Sequence, residues 1–183
     1  GEDVAAPYGN AFLLLKSLLA KHHQRIHNAP IAEGGIIGAL VGASLEGMCP
    51  IGEMQFNDFV ACGFNQLVNN AAMFHYRVGR PLPFVLRMPY GGLRKAGPYH
   101  SQDTIPWFYR APGLKIVAPS TPHDARALIQ TAAADPDPVL FYEHIALYRE
   151  PTIRQDLSGP AENIPLGQAA FRKLGTDLSL ISY

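Results

Sequence analysis

Charge is scarce in this chain. Only 16% of its 183 residues are Asp, Glu, Lys or Arg, against about 25% in an average soluble domain. The deficit predicts a surface partly covered by other protein. Fifteen basic and fifteen acidic residues cancel, with a sequence pI near 7.2. That removes the electrostatic case for nucleic acid or for an anionic membrane. Cysteine is nearly absent too: Cys49 and Cys62 stand alone and form no C-x-x-C pair, which argues against a zinc or redox motif. Two thiols and no signal peptide predict a reducing cytoplasm, bacterial in type. No apolar run reaches the about 20 residues of a spanning helix. Internal repeats and low-complexity segments are missing.

Several catalytic signatures are missing as well. Ser44, in VGASLEG, lacks the second glycine of a G-x-S-x-G elbow, and Ser101 merely adjoins His100 in sequence, which is not triad geometry. There is no Walker loop. Glycines 34, 35, 38 and 42 do not spell G-x-G-x-x-G, so a dinucleotide site is poorly supported. His22, His23 and His27 have no neighbouring carboxylates and read as surface residues rather than metal ligands.

What is present is an alternation of strands and helices. Residues 11–23 (AFLLLKSLLAKHH) carry a helical apolar pattern with basic residues at the end. A small-residue helix follows at 34–46, and PIGEMQF at 50–56 reads as a short strand. Residues 58–77 predict one long helix capped by Asn57 or Asp58. PFVLRM (83–88) is a buried strand, residues 88–103 are a Gly- and Pro-rich loop, and LKIVAP (114–119) is the next strand. Ser120 or Thr121 then caps a helix that has Pro122 at its first position, Asp124 in its first turn, and an end near Ala134. PVLFYEH (138–144) is a further strand, and residues 149–166 look like a linker. GEDV at the start reads as the end of a strand and DLSLISY as a strand cut short, so the chain is expected to be a fragment. The pattern predicts an α/β fold, a three-layer αβα arrangement with a mostly parallel sheet. Ligands gather at the carboxyl ends of such strands. The loops carrying Glu33, Phe59 and His100 should therefore share that edge.

Glu33 stands where apolar residues 29–32 meet a helix with glycines at +5 and +9, an E-x4-G-x3-G spacing. Glycines four apart line one stripe and let another helix approach. A bland role exists for Glu33: a first-turn carboxylate on the helix dipole is worth about 0.3–1 kcal/mol. Phe59 reads equally as a core ring, and His100 as a loop histidine bound to backbone.

The order of the blocks adds a resemblance. APIAEGGIIGALVGASLEG (29–47), GEMQFNDF (52–59), FNQLVNNAAMFHYRVG (64–79), PFVLRMPYGG (83–92), YHSQ (99–102), PGLKIVAPSTPHDARALI (112–129) and DPVLFYEH (137–144) follow one another. Together with GEDV they resemble the beta subunit of a thiamin-diphosphate-dependent 2-oxo acid dehydrogenase, over roughly residues 1–150. The resemblance implies the thiamin-diphosphate-binding pyrimidine-domain fold, N-terminally truncated, over 1–150. It implies a linker at 151–166 and the start of a C-terminal transketolase-like domain at 167–183. Glu33 would hydrogen-bond the aminopyrimidine and share its proton, which a raised carboxyl pKa in an apolar setting would favour. Phe59 would stack on that ring, and Gln55, a further cofactor-binding residue, would line the same pocket with Met54. His100 would orient or protonate the reacting group, and an imidazole with an ordinary pKa of about 6.5 suits proton exchange. Tyr99 and Ser101 would support it.

By the same resemblance a potassium ion is held by the backbone carbonyls of Phe84, Ala132, Asp135 and Asp137, although DPDP also reads as an ordinary turn. The GDG…NN motif for diphosphate and magnesium is missing; Asn69-Asn70 falls inside a helix with no GDG before it. That half of the site would come from an alpha subunit or domain, so the fragment alone should be inactive. A second beta copy and the lipoyl domain of an acyltransferase are the other implied partners. MQFNDF, YHSQ and FYEHIALYR favour a branched-chain over a pyruvate substrate. The alternatives are a transketolase or deoxyxylulose-phosphate-synthase-type enzyme and a non-catalytic assembly module.

Overall fold

The structure, a computed structural model, describes residues 1–92 and 95–182. Its centre is a four-stranded sheet of β1 (Ile51–Glu53), β2 (Val85–Tyr90), β3 (Lys115–Val117) and β4 (Val139–His144), ordered β1-β2-β4-β3. Every pairing is parallel, with Val85 opposite both Ile51 and Val139, and Lys115 also opposite Val139. Parallel neighbours need crossovers that cover the sheet, and both faces of this sheet are covered. On one face Leu86, Met88, Leu140 and Tyr142 pack against Ile36, Ile37 and Leu40 of α2 (Glu33–Leu45), and against Val60, Leu67 and Phe108. On the other, Val85, Val139 and Phe141 meet Leu128, Ile129 and Ala132 of α5 (Pro122–Ala134). The expected three-layer α/β architecture is observed. The remaining helices are α1 (Lys16–His22), α3 (Ala72–Val78) and α4 (Ile105–Phe108).

Several boundaries follow the sequence closely. Thr121 caps α5, its hydroxyl accepting the Asp124 N–H at 3.2 Å, with Pro122 in the first turn as expected. Others differ. Helix α1 starts only at Lys16, because residues 9–15 turn around Asn10. Its side-chain oxygen accepts the N–H groups of Phe12 and Leu14 at 3.0 Å, and its amide donates to Glu53 Oε2 at 3.1 Å. The long helix expected at 58–77 forms as one unbroken helical run over residues 57–78, but its type changes along it, from a 3-10 stretch (Asn57–Gly63) through a π stretch (Gln66–Ala71) to α3. The 3-10 stretch ends at Gly63, where a Cβ would lie 2.2 Å from Ile37 Cδ1. Neither Asn57 nor Asp58 caps it; the cap position is Phe56 and carries no side-chain bond. No strand forms at 50 or 54–56, and β1 is only three residues long. Residues 1–4 and the described 177–182 form no strand, and Leu178, Leu180 and Ile181 are exposed.

One buried ion cluster joins three strands. Arg87 on β2 donates from Nε and Nη2 to Glu143 on β4 at 2.7 and 2.6 Å, and from Nη1 to Glu53 Oε2 on β1. Tyr148 donates its hydroxyl to Glu143 Oε2 at 2.6 Å. Burial opposes the guanidinium charge, but Glu143 and Glu53 outweigh it and hold the Arg87 pKa above the ordinary arginine value. Burial alone pushes the Tyr148 phenol up, and the Glu143 carboxylate adds to it. Removing the cation strands the buried Glu53 carboxylate and the half-buried Glu143 carboxylate. Arg87→Ala is therefore expected to cost about 3–5 kcal/mol, read as a lower urea midpoint by circular dichroism. A change under 1 kcal/mol would contradict this account of the cluster.

Candidate functional site

The segments that leave β1 and β2 at their carboxyl ends converge. From β1 the chain passes through Gln55 and Phe56 into the 3-10 turn Asn57–Gly63. From β2 it turns at Gly91, whose φ is +90° and where a Cβ would lie 2.5 Å from His144 Nε2. It returns through a single 3-10 turn, Pro98–His100. Leu93 and Arg94, within that connection, lie outside the described residues.

His100 meets two aromatic rings edge-on. Its centroid is 4.6 Å from Phe56 and 5.4 Å from Phe59, and those two rings stand 6.0 Å apart. Phe56 also touches Phe12 at 5.4 Å, which touches Tyr148 at 5.1 Å, so the aromatic row reaches the ion cluster. His100 Nδ1 is buried and has no hydrogen-bond partner among the described residues. The backbone-bound loop histidine considered from the sequence is therefore not what Nδ1 makes here. Tyr99 points outward, 75% exposed.

The turn that carries His100 is stitched to residues 57–58. Asp58 Oδ1 accepts the N–H groups of Ser101 and Gln102, both at 3.1 Å. Asn57 Oδ1 accepts the N–H and hydroxyl of Thr104 at 2.9 and 2.7 Å, and its amide donates to Gln102 O at 3.0 Å. Thr104 Oγ1 and the Tyr142 hydroxyl lie 3.0 Å apart. Burial pushes the Tyr142 phenol well above its ordinary pKa, against the opposing Thr104 bond.

Glu33 is the first residue of α2 and is half-buried. Helix α2 begins against the 57–71 segment: a Cβ on Gly34 would meet Cys62 O at 3.0 Å and Gln66 Nε2 at 3.1 Å. The neighbour that the sequence reading left without a role is Glu2. It is 6% exposed, and its Oε1 has no partner among the described residues. Burial raises the Glu2 pKa, and the charges of Glu33 and Asp3 raise it further. Gln55 does not join the rings; its Nε2 donates to Asp3 Oδ2 at 2.9 Å. Met54 is fully buried in the core. The structure thus brings Phe59 and His100 into contact, and sets Glu33 within electrostatic range of Glu2. Phe56, Asn57, Asp58 and Glu2 complete the arrangement. They lie inside the GEDV and MQFNDF blocks, but Asn57 and Asp58 resemble helix caps in sequence, and Glu2 has no periodic pattern around it.

The four positions matched to potassium lie where α5 ends and β4 begins. Phe84 O accepts Val139 N–H at 3.0 Å and Ala132 O accepts Asp135 N–H at 3.3 Å, and each carbonyl keeps a second lone pair. The acidic side chains face protein cations. Lys115 Nζ contacts Asp135 at 2.7 and 2.8 Å and Asp137 at 3.1 Å, and His75 Nδ1 lies 2.5 Å from Asp137. Burial would raise the Asp137 pKa, but His75 and Lys115 hold it below the usual value. Asp135 also receives the Asp137 N–H at 2.9 Å, closing the DPDP turn. Backbone oxygens alone remain for a cation. Among the described residues, no His, Cys, Asp and Glu side chains form a metal-binding group of three, and no helix is long and apolar enough to cross a membrane.

A parallel α/β sheet whose polar and aromatic groups collect beyond the carboxyl ends of its first two strands is a ligand-binding architecture. Residues 1–151 match the family described as "Transketolase, pyrimidine binding domain", and the chain belongs to that family. It is 40% identical to the 2-oxoisovalerate dehydrogenase subunit beta of Bacillus subtilis, over the whole of this chain and 56% of that protein. It is 39% identical to the pyruvate dehydrogenase E1 component subunit beta of Acholeplasma laidlawii, again over 100% of this chain and 56% of the other. Identity is also 39% to a Cupriavidus necator acetoin:2,6-dichlorophenolindophenol oxidoreductase subunit beta, over 96% of this chain and 52% of that one. Among solved structures, a "Split gene transketolase, inactive beta4 tetramer" superposes with a TM-score of 0.58 at 22% identity. It covers 72% of this chain and 42% of the other, a likeness of fold. The chain spans about half the length of the curated relatives it matches.

The raised Glu2 pKa has a definite sign. A carboxyl whose folded pKa exceeds its unfolded value of 4.5 contributes its full stability below that value and loses it as pH rises through the folded pKa. Ionised Glu2 therefore costs stability at neutral pH. Glu2→Gln is expected to raise the thermal midpoint at pH 7 and to give no gain at pH 4. A lower midpoint at pH 7 would show that the Glu2 charge is compensated.

Proposed function

We propose that this chain is the pyrimidine-binding half of a thiamin-diphosphate-dependent 2-oxo acid dehydrogenase. The whole enzyme would decarboxylate a branched-chain 2-oxo acid and pass the acyl group to a lipoyl group. The observation that carries the reading is the aromatic corner of Phe56 and Phe59 around a histidine whose buried Nδ1 has no partner among the described residues. Likeness to 2-oxo acid dehydrogenase beta subunits along the full chain supports the substrate class, and the FYEHIALYR and MQFNDF blocks support the branched-chain choice.

The residues fit a flat heteroaromatic group. Phe59 offers a ring for stacking, and half-buried Glu33 at the start of α2 offers a carboxyl to a ring nitrogen. Thiamin diphosphate supplies an electron sink through its thiazolium carbon. Glu33 holds and returns a proton at its carboxyl oxygen. His100 exchanges a proton with the reacting group. Gln55 steadies Asp3, and with it the segment bearing Glu2.

The diphosphate and magnesium are assigned to an alpha subunit or domain, because no GDG motif occurs here. A second beta copy and a lipoyl domain are the further partners, and the isolated chain is inactive. Residues 1–150 form the pyrimidine-binding domain, 151–166 a linker and 167–183 the start of a second domain. Exposed, unpaired Cys49 and Cys62 accord with a bacterial cytoplasm. A transketolase-type activity would instead require an aldehyde acceptor, and an assembly module would bind no cofactor.

Glu33→Gln in the assembled enzyme should retain thiamin diphosphate yet lose about 100-fold or more in decarboxylation. Full turnover would remove Glu33 from the proton path, and turnover with aldehyde acceptors in place of lipoyl groups would favour the transketolase reading. The potassium site at Phe84, Ala132, Asp135 and Asp137 predicts a higher melting temperature in KCl than in NaCl at equal ionic strength. Equal melting would exclude it.

A further inference from the structure

We propose that Asp58 is a positioning residue for His100, holding the imidazole in the Phe56–Phe59 corner through the backbone of the two residues that follow it. The inference rests on the reading of His100 given above and adds to it the group that fixes the ring.

Asp58 is 7% exposed, so its carboxylate is a buried group that must be satisfied. Among the described residues its hydrogen-bond partners are neutral: the N–H groups of Ser101 and Gln102 at 3.1 Å and the Asn57 amide at 3.0 Å. No ion pair involves it among the described residues. A carboxylate accepting consecutive backbone N–H groups fixes the local backbone with charge-assisted bonds, about twice as strong as neutral ones. The first of those N–H groups belongs to the residue directly after His100. His100 itself ends a one-turn helix whose N–H reaches Gly97 O at 3.3 Å. Gly97 has φ +78°, so the turn enters through a flexible residue and is fixed at its exit.

Asn57 works elsewhere in the same loop. It binds Thr104 and Gln102 O, and Gln102 O also accepts Gly91 N–H at 3.2 Å. Asn57 therefore closes the neck of the loop, while Asp58 sets its tip. Phe56 and Phe59 flank this pair in sequence and supply the walls. One tetrapeptide both forms the corner and holds the histidine in it.

The test uses the full chain and follows deuterium exchange at the imidazole C2 position by mass spectrometry, with the other six histidines as internal controls. In the wild type, His100 should exchange more slowly than exposed His22 and His23. Asp58→Ala should accelerate His100 several-fold and leave His75 and His144 unchanged. Asp58→Asn, which keeps an acceptor oxygen, should fall between the two. In the assembled enzyme Asp58→Ala should lower kcat by about 10- to 100-fold, the scale of a misplaced catalytic group, with KM for the 2-oxo acid little changed. Asp58→Asn should recover part of that loss.

Unmoved His100 exchange in a folded Asp58→Ala chain would overturn the proposal. Acceleration of all seven histidines together would do the same, since it reports general loosening. If Asp58→Ala does not fold, the wild-type measurement still decides: His100 exchanging as fast as His22 would show that the ring is not held. His100→Ala with full turnover would overturn the catalytic reading of His100 while leaving the exchange result standing.

Discussion

A guanidinium held between carboxylates on both neighbouring parallel strands is the constraint on which the carboxyl edge depends. Arg87 reaches Glu53 on one side and Glu143 on the other, so β1, β2 and β4 end in a fixed relation. Because β1 is only three residues long, backbone pairing alone would locate it poorly. The ion cluster supplies the missing register. It also recruits the chain start, since Asn10 bonds Glu53 and thereby bends residues 9–15 away from a helix. Phe12, placed by that bend, extends the aromatic row towards Phe56, and Arg149 donates to Phe12 O at 2.9 Å.

The candidate site grows from this frame by short-range contacts. Phe56 follows β1 by three residues and His100 follows β2 by ten, yet the rings meet at 4.6 Å. Side chains, more than regular structure, hold the loop between them. Hydrogen bonds to backbone impose direction as well as distance, so Asn57 and Asp58 set where the histidine can point. Glu33 is placed differently, by a helix whose start lies close to Gly63 and Gln66. The acidic and aromatic parts of the site thus rest on separate supports.

Much of the fold was legible because it repeats. The apolar runs at 83–88 and 138–144 became β2 and β4, and the Thr121-Pro122 start of α5 announced itself by local chemistry. What stayed hidden is non-local. Asn57 and Asp58 have the residue type and position of helix caps, and only the folded chain shows their oxygens bound to residues 101–104. Asn10 breaks a helical apolar pattern because a carboxylate 43 positions away accepts its amide. Glu33, Phe59 and His100 were singled out by resemblance; spacing alone left each with an ordinary role. Glu2 carried no periodic signal, and its significance comes from burial within electrostatic range of Glu33.

The contact between Gly63 and Ile37 has a consequence for how this sequence can diverge. A methyl at position 63 would occupy the space of the Ile37 δ-carbon, 2.2 Å away. The two positions therefore share one volume. An alanine at 63 would force the Ile37 side chain to turn aside, and a shorter residue at 37 would free that space at the cost of a small void. Size at position 37 and size at position 63 are coupled, so a substitution at one changes what the other can hold.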